Sequence, residues 1–470
     1  MSRLIVISNR VNPPADTAVA SVGGLAMALS AALRQENGLW FGWSGKVTPR
    51  FSNQIAIQRI GGVTVALINL EQQDLQEYYN GYANKTLWPL FHHRPDLVAF
   101  ERSFDEGYSR VNQRFANTVF PLIEPDDIVW VHDYHMIPMG KRLREKGLKN
   151  RIGFFLHIPW PAPALLTTLP RHQELVESLF DYDLIGLQNE ENANSLIEYI
   201  LQVADGKMLP DGRISAYGKT TSIKAFPIGI DAREFMEAST SQKAREYYEL
   251  MRYSSAGRKL IVGVDRLDYS KGLEERFVAY DQFLRNHPDY QGNVFFLQIA
   301  TPSRGEVNAY QSIREKLDSM SGHINGEHAT VDWVPLRYVN RSYRRDELAG
   351  IYRAAHVGLV TPLRDGMNLV AKEYIAAQDP EDPGVLILSE FAGAAAQMKD
   401  ALIVNPFDRE TVAEAIREAL AMPLRERIAR YEALMHGVVT DDVVAWRDNF
   451  VRELKSLDQN NKPSVVSIVP

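Results

Sequence analysis

The 470-residue chain has no cysteine. Disulfide cross-links, thiolate metal sites and a cysteine nucleophile are therefore excluded, which fits a reducing compartment. No apolar stretch reaches membrane-spanning length, and the run Leu4-Ile5-Val6-Ile7 is too short for a secretory signal. A cytoplasmic location with no membrane partner is the expectation. Long basic runs are missing too, and the formal net charge is -7. No nucleic-acid partner is expected, although local basic pockets for phosphates stay open.

What the chain does have is 45% hydrophobic and 24% charged residues, enough to fill the cores of two or three domains. Its centre is the stretch from His356 to Gln378. His356-Val357-Gly358-Leu359-Val360-Thr361 reads as a buried strand of a parallel sheet. Pro362 and Gly366 supply a turn, and from Met367 onward Leu369, Val370, Tyr374 and Ile375 recur at helical spacing. Such a strand, loop and helix start turns unpaired N–H groups and the positive end of the helix dipole toward an anion. Asp365 in the loop and Glu373, two turns inside the helix, are spaced to meet a sugar hydroxyl and a ribose. Units of this kind with a glycine in the turn are ordinary scaffolding; here charged or glycine-rich residues follow several strands in the same way.

In the first half, the strand Leu4 to Ile7 ends in Ser8-Asn9-Arg10, and a loop closing at Gly23-Gly24 leads into a helical stretch from Leu25 to Leu33. Paired glycines admit a ligand close to the backbone, and Arg10 suits an anion there. A tight turn into a helix explains the glycines equally well. Tyr78-Tyr79-Asn80 and Leu87-Trp88-Pro89-Leu90-Phe91-His92 carry rings with polar tips, which serve a core or a sugar face. The strand Asp127 to Val131 ends in His132-Asp133-Tyr134-His135. No fourth ligand stands at a metal spacing, so Asp133 reads as an acceptor for a substrate hydroxyl. Gly153 to Leu156 is a further strand, followed by a proline-stiffened loop that holds His157. Asp181-Tyr182-Asp183 has the D-x-D form but precedes the strand Leu184 to Leu187, which makes it local structure.

From residue 232 to about 258 the composition turns polar and helix-prone, which marks a domain junction. The alternation restarts with the strand Leu260 to Val264. Arg266 and Lys271 then share one loop with Gly272 at a helix start, as a diphosphate requires; ion pairs with Asp265 or Asp268 are the bland alternative. Arg304 follows the strand Asn293 to Ala300 in a similar place. Trp333 to Tyr338 and Val385 to Ser389 are further strands, Leu402 to Pro406 is the last strand-like run, the pattern from Thr411 to about Asp458 is helical, and Gln459 to Pro470 is expected to be a mobile tail. The expected class is α/β, with two doubly wound parallel-sheet domains, 1–231 and 232–440, facing across a cleft at the strands' carboxyl ends.

The runs LWPLFH, VWVHDYH, FFLHIPWP, VDRLDYSKG, QIATPSRG and LRDGMNLVAKEY resemble those of the trehalose-6-phosphate synthase family, retaining glycosyltransferases of GT-B type. The likeness extends from Ser8 to Asp408. It implies Rossmann-like domains, with the last helix, about 441–458, crossing back onto the first. It implies UDP-glucose as donor, glucose 6-phosphate as acceptor and an α,α-1,1-linked disaccharide phosphate as product. Arg10, Tyr79, Trp88 and Arg304 would hold the acceptor's phosphate, and Asp133 an acceptor hydroxyl. Gly23, Gly24, Arg266 and Lys271 would hold the donor's diphosphate, and Glu373 the ribose. The stretch Gly366, Met367, Asn368, Leu369 and Val370 would bind the donor, with Tyr343 near the uracil and Asp365 with His157 on the transferred glucose. Tyr343 and Trp160 stand where the family commonly has Phe.

Retention by double displacement needs a carboxylate beneath the anomeric carbon, and none can be assigned there. A front-face reaction is expected instead, with His157, Asp365, Arg266 and Lys271 as its catalytic groups and no metal cofactor. A sibling reading has another nucleotide-glucose donor or another phosphorylated polyol acceptor, as in glucosylglycerol-phosphate synthesis. An epimerase of the same architecture has no need of Arg10 with Arg304. A sugar-phosphate sensor without activity would be expected to lose Arg266, Lys271, Asp365 or Glu373, and all four are present. The expected partners are the two small-molecule substrates. A homodimer or homotetramer remains open, and a separate phosphatase would take the product.

Overall fold

The computed structural model describes residues 3–11, 29, 33, 38–60, 63–302 and 308–457. Gly23, Gly24, Arg304, most of the stretch from Leu25 to Leu33 and the tail from Gln459 lie outside the described residues.

The chain forms two compact units. The first includes the opening strand, the span up to Phe226 and, from Trp446 on, the last helix; the second runs Pro227–Ala445. Composition sets the junction near residue 232, and the chain crosses at Phe226–Pro227 and again at Ala445–Trp446.

In the first unit the strands are β1 (Leu4–Arg10), β2 (Leu39–Thr48), β3 (Ala56–Ile60), β4 (Val63–Glu71), β5 (Ile128–His132), β6 (Ile152–Phe155), β7 (Leu184–Leu187), β8 (Lys207–Met208), β9 (Ile214–Ala216) and β10 (Lys219–Ala225). They pair in the order β3-β4-β2-β1-β5-β6-β7-β10-β9-β8. From β4 to β10 every neighbour is parallel, while β3 and β9 join antiparallel. β5, β6 and β7 are buried along their whole length. Helices cover both faces of such strands, which is why their sequences are apolar runs and not alternations.

The second unit carries β11 (Lys259–Arg266), β12 (Val294–Thr301), β13 (Leu336–Val339), β14 (Val357–Val360), β15 (Val385–Ser389) and β16 (Leu402–Val404). Their order is β13-β12-β11-β14-β15-β16, parallel throughout. Strand order reverses between β1 and β5 in the first sheet and between β11 and β14 in the second. Ligands of doubly wound folds bind at the carboxyl ends beside such a reversal.

The helices used below are α1 (Arg102–Val119), α2 (Leu273–Asn286), α3 (Leu369–Ala377) and α4 (Val443–Ser456). From Trp446 on, α4 packs in the first unit, where Phe450 stacks on Trp130 at 4.5 Å and meets Phe155 at 5.9 Å. Gly153 and Gly186, on adjacent strands, make room for it: a Cβ at either would lie 2.6–2.7 Å from an aromatic ring atom of Phe450 or Phe155. After β4 the chain runs on as a π-helical segment, Leu75–Leu87. After β5 a short turn, Tyr134–Met136, is followed by Pro138 and then by a separate helix, Met139–Glu145. A long helix, Asn308–His328, precedes β13.

Candidate functional site

In the first unit the site forms where β1 and β5 end side by side. Arg10 is exposed at the end of β1, its guanidinium 5.7 Å from the centre of the Trp43 ring. Trp43 meets Tyr79 edge-on at 5.6 Å, and Tyr79 stacks on His135 at 5.8 Å and 11°. His135 lies 3.9 Å from Tyr134, which in turn meets Trp88 at 5.6 Å. A continuous run of rings thus joins Arg10, Tyr79 and Trp88. Trp88 is 4% exposed, so little of its ring is open to a ligand.

Asp133 follows β5 with φ +75°, a backbone state that costs a non-glycine residue about 1–3 kcal/mol. Its Oδ1 accepts the backbone N–H of His157 at 3.2 Å, and its own N–H donates to the Phe155 carbonyl at 2.8 Å. The ends of β5 and β6 are thereby tied together. The His157 ring places Nε2 3.0 Å from Nδ1 of the fully buried His132. Burial pushes His157 down to about 3 and His132 well below its ordinary value, so both rings are neutral at pH 7.

The run from His132 to His135 therefore pairs with His157, fixes the backbone and stacks on Tyr79. It makes no metal cluster among the described residues. The one group there with metal-type ligands, Asp281, Glu327 and His328, has both carboxylates held by Arg285. In the D-x-D, Asp183 accepts from the Ile152 N–H at 2.7 Å and from Arg144 at 2.9 Å, while Asp181 pairs with Lys219 at 2.8 Å. Those are local structural contacts, as expected.

In the second unit the site forms where β11 and β14 end. α3 starts at Leu369 behind Asn368, which is left-handed at φ +77° and makes no side-chain cap. The first N–H groups of the helix and its dipole are thus left to a ligand. Glu373 sits one turn into α3, and not two, because Gly366 to Asn368 still belong to the loop. Asp365 Oδ2 accepts from Lys271 Nζ and, at 3.1 Å, from Asn368 Nδ2. Lys271 therefore pairs with neither Asp265 nor Asp268. The Leu363 N–H donates to the Ser270 carbonyl at 2.8 Å. Gly272, at φ +64°, admits the Thr361 carbonyl to where a Cβ would be 2.3 Å away. Arg266 is exposed at the end of β11.

Burial pushes the Glu373 carboxyl up to about 7, against a smaller opposing effect from Arg345. Tyr343 lies 4.4 Å beneath the Arg341 guanidinium and meets Tyr247 edge-on at 6.1 Å. The structure thus brings Arg10, Tyr79, Trp88, Asp133 and His157 together in one unit. Lys271, Asp365 and the start of α3 come together in the other.

Two further residues hold this second site. Arg276, on α2 and 1% exposed, donates to Asp265 at 2.5 Å, Gln298 at 2.8 Å, Thr361 at 2.9 Å and the Lys271 carbonyl at 3.2 Å. It stands among Leu273, Phe277 and Tyr280 on the buried face of α2, and a cation there is a sequence signal for a buried partner. Lys372, 2% exposed, donates to the Ile228 carbonyl at 2.9 Å and to Gln397 at 2.8 Å. Burial pulls it down to about 8.

Residues 4–456 match the family described as Glycosyltransferase family 20. A trehalose-6-phosphate synthase of Klebsiella pneumoniae subsp. pneumoniae is 47% identical over 464 residues, covering 99% of this chain and 97% of that protein. An alpha,alpha-trehalose-phosphate synthase (UDP-forming) from Burkholderia xenovorans, solved in complex with glucose-6-phosphate, superposes with TM-score 0.92 at 48% identity over 97% of this chain and 100% of that one. A structure described as trehalose-6-phosphate from E. coli bound with UDP-2-fluoro glucose gives TM-score 0.93 at 45% identity, again over 97% of this chain and 100% of that one.

Proposed function

The chain belongs to glycosyltransferase family 20, and from that membership we propose that it moves glucose from UDP-glucose to glucose 6-phosphate, giving α,α-trehalose 6-phosphate and UDP. Its relatives of that name and the two ligands of the solved structures support this reading. The observation that carries it on this chain is the Lys271–Asp365 pair at the uncapped start of α3. A fixed cation, a carboxylate and free helix N–H groups meet there beside a strand-order reversal.

On this reading the second unit holds the donor. Arg266, Lys271 and the first N–H groups of α3 take the diphosphate, Glu373 the ribose and Tyr343 the base. The first unit holds the acceptor, with Arg10 and Tyr79 toward its phosphate, Trp88 beside them and Asp133 on a hydroxyl. Asp365 and the neutral His157 take the transferred glucose.

The diphosphate leaves with its charge spread over Lys271, Arg266 and the helix dipole, and its oxygen takes the proton of the incoming hydroxyl on the same face of the sugar. Asp365 is already engaged by Lys271 and Asn368, which lowers its nucleophilicity and suits it to orient hydroxyls. The product goes on to a separate phosphatase.

The test is nucleoside diphosphate release from UDP-glucose and from ADP-, GDP- and TDP-glucose, with and without glucose 6-phosphate, followed by NMR of the product's anomeric carbons. UDP release that depends on glucose 6-phosphate, with two α-anomeric signals, is the expected result. Release that needs another donor or acceptor selects the sibling transferase. Binding without release selects the sensor.

A further inference from the structure

His132 is buried, titratable and without a task in the reaction above. Its ring centre lies 5.3 Å from that of His157, with the planes 21° apart and 3.0 Å between Nδ1 of one and Nε2 of the other. That is the arrangement of two imidazoles meeting edge to edge in nearly one plane, with a single N–H between them. Because both rings are neutral, one nitrogen of the contact donates and the other accepts. Whichever tautomer His132 adopts therefore decides the tautomer of His157.

The far side of His132 decides which it is. Its Nε2 is buried with no hydrogen-bond partner among the described residues. It is packed amid Trp130 at 4.5 Å, Trp446 at 6.3 Å and Phe155 at 6.4 Å. The side chains of these three ring neighbours offer it no acceptor, since an indole only donates and a phenyl ring does neither. A second N–H placed there would be an orphaned donor, which proteins avoid more strictly than a bare acceptor. The proton of His132 therefore sits on Nδ1, and Nε2 of His157 accepts it. His157 then carries its own proton on Nδ1, the nitrogen that makes no hydrogen bond among the described residues.

We infer that His132, backed by Trp446 of the last helix, is a positioning residue that fixes His157 as the Nδ1–H tautomer and presents that N–H to the transferred sugar. The inference rests on the assignment of His157 to the sugar. Asp133 holds the backbone of His157 and His132 holds its ring, so consecutive residues at the end of β5 fix both.

The test combines imidazole 15N NMR of the full-length protein with the variants H132L, H132N and H157A. Expected are an Nδ1-protonated His157 in the parent protein and a mixture of tautomers in H132L. With that mixture, kcat falls about a hundredfold and both KM values stay close to the parent's. Asn places an amide N–H where Nδ1–H was, so H132N recovers much of the loss. A His157 protonated on Nε2, or an H132L with the parent's kcat, overturns the inference. Undiminished turnover in H157A would instead remove the role of His157 itself. Loss in H157A beside a silent H132L removes the positioning role alone.

Discussion

Lys271 and Asp365 lie 94 positions apart in the chain, yet Nζ of one donates to Oδ2 of the other, joining the loops that follow β11 and β14. The pair is largely buried, so its field is poorly screened, and in the proposed scheme it acts where diphosphate charge develops. Replacing Lys271 with Ala should lower kcat about a hundredfold to a thousandfold and leave the KM for glucose 6-phosphate nearly unchanged. Steady-state kinetics with each substrate varied in turn decide it; equal losses in turnover and acceptor binding would count against the assignment.

Glu373 should make donor binding depend on pH. Its carboxyl is raised to about 7 in the folded chain, so the folded form keeps a proton that the unfolded form loses near the ordinary carboxylate range. Stability contributed by this group is therefore full at low pH and falls as pH rises toward about 7. The carboxylate, which accepts the ribose hydroxyls in the proposed scheme, becomes abundant only above that value. The KM for UDP-glucose should fall as pH is raised through about 7, and E373Q should flatten that profile.

Arg276 touches no ligand in the proposed scheme, and its loss should be felt first in stability. Removing it strands the buried Asp265, a change that costs about 3–5 kcal/mol in comparable pairs. Arg276→Ala should lower the thermal midpoint and weaken donor binding, because the Lys271 carbonyl loses its anchor. A midpoint equal to the parent's would show that the loop from Asp265 to Gly272 is held by other contacts.

The strands were the most legible part of the fold, since a strand covered on both faces has to be apolar throughout. Leu184–Leu187 and Val385–Ser389 lie at the bounds their runs set. α1 left no such run: Phe104, Tyr108, Val111, Phe115 and Val119 are buried at helical spacing, but charged and amide side chains stand between them. The residue types of the site were readable one loop at a time, while its pairings were not. Lys271 meets Asp365, and His132 meets His157, only through the order of strands. The positive φ of Asp133 has no local signal, because the groups that hold it, the Phe155 carbonyl and the His157 N–H, lie more than twenty positions away on and beyond β6.

A metal should be dispensable. In the proposed scheme Lys271, Arg266 and the α3 dipole put positive charge where a divalent cation would otherwise neutralise the leaving diphosphate. Initial rates in excess chelator should equal those in added magnesium. Abolition by chelator, with recovery on adding magnesium, would show that these fixed charges do not suffice.

Asp133 separates function from stability. Its φ of +75° with ψ of 165° falls in a region that is essentially glycine's, so glycine there would relieve about 1–3 kcal/mol of strain. The carboxylate's bond to the His157 N–H offsets this, since a hydrogen bond to a charged group has a net worth of about 1.5–3 kcal/mol. Asp133→Gly should therefore unfold close to the parent's temperature. If the same carboxylate takes an acceptor hydroxyl, the KM for glucose 6-phosphate should rise about tenfold to a hundredfold, as expected for a lost hydrogen bond to a charged group. Asp133→Asn keeps an acceptor for His157 together with the strain, and should fall between the two in acceptor binding with no gain in stability. A glycine variant that is both less stable and less active would mean that the carboxylate serves the fold, and the strained backbone would then need another explanation.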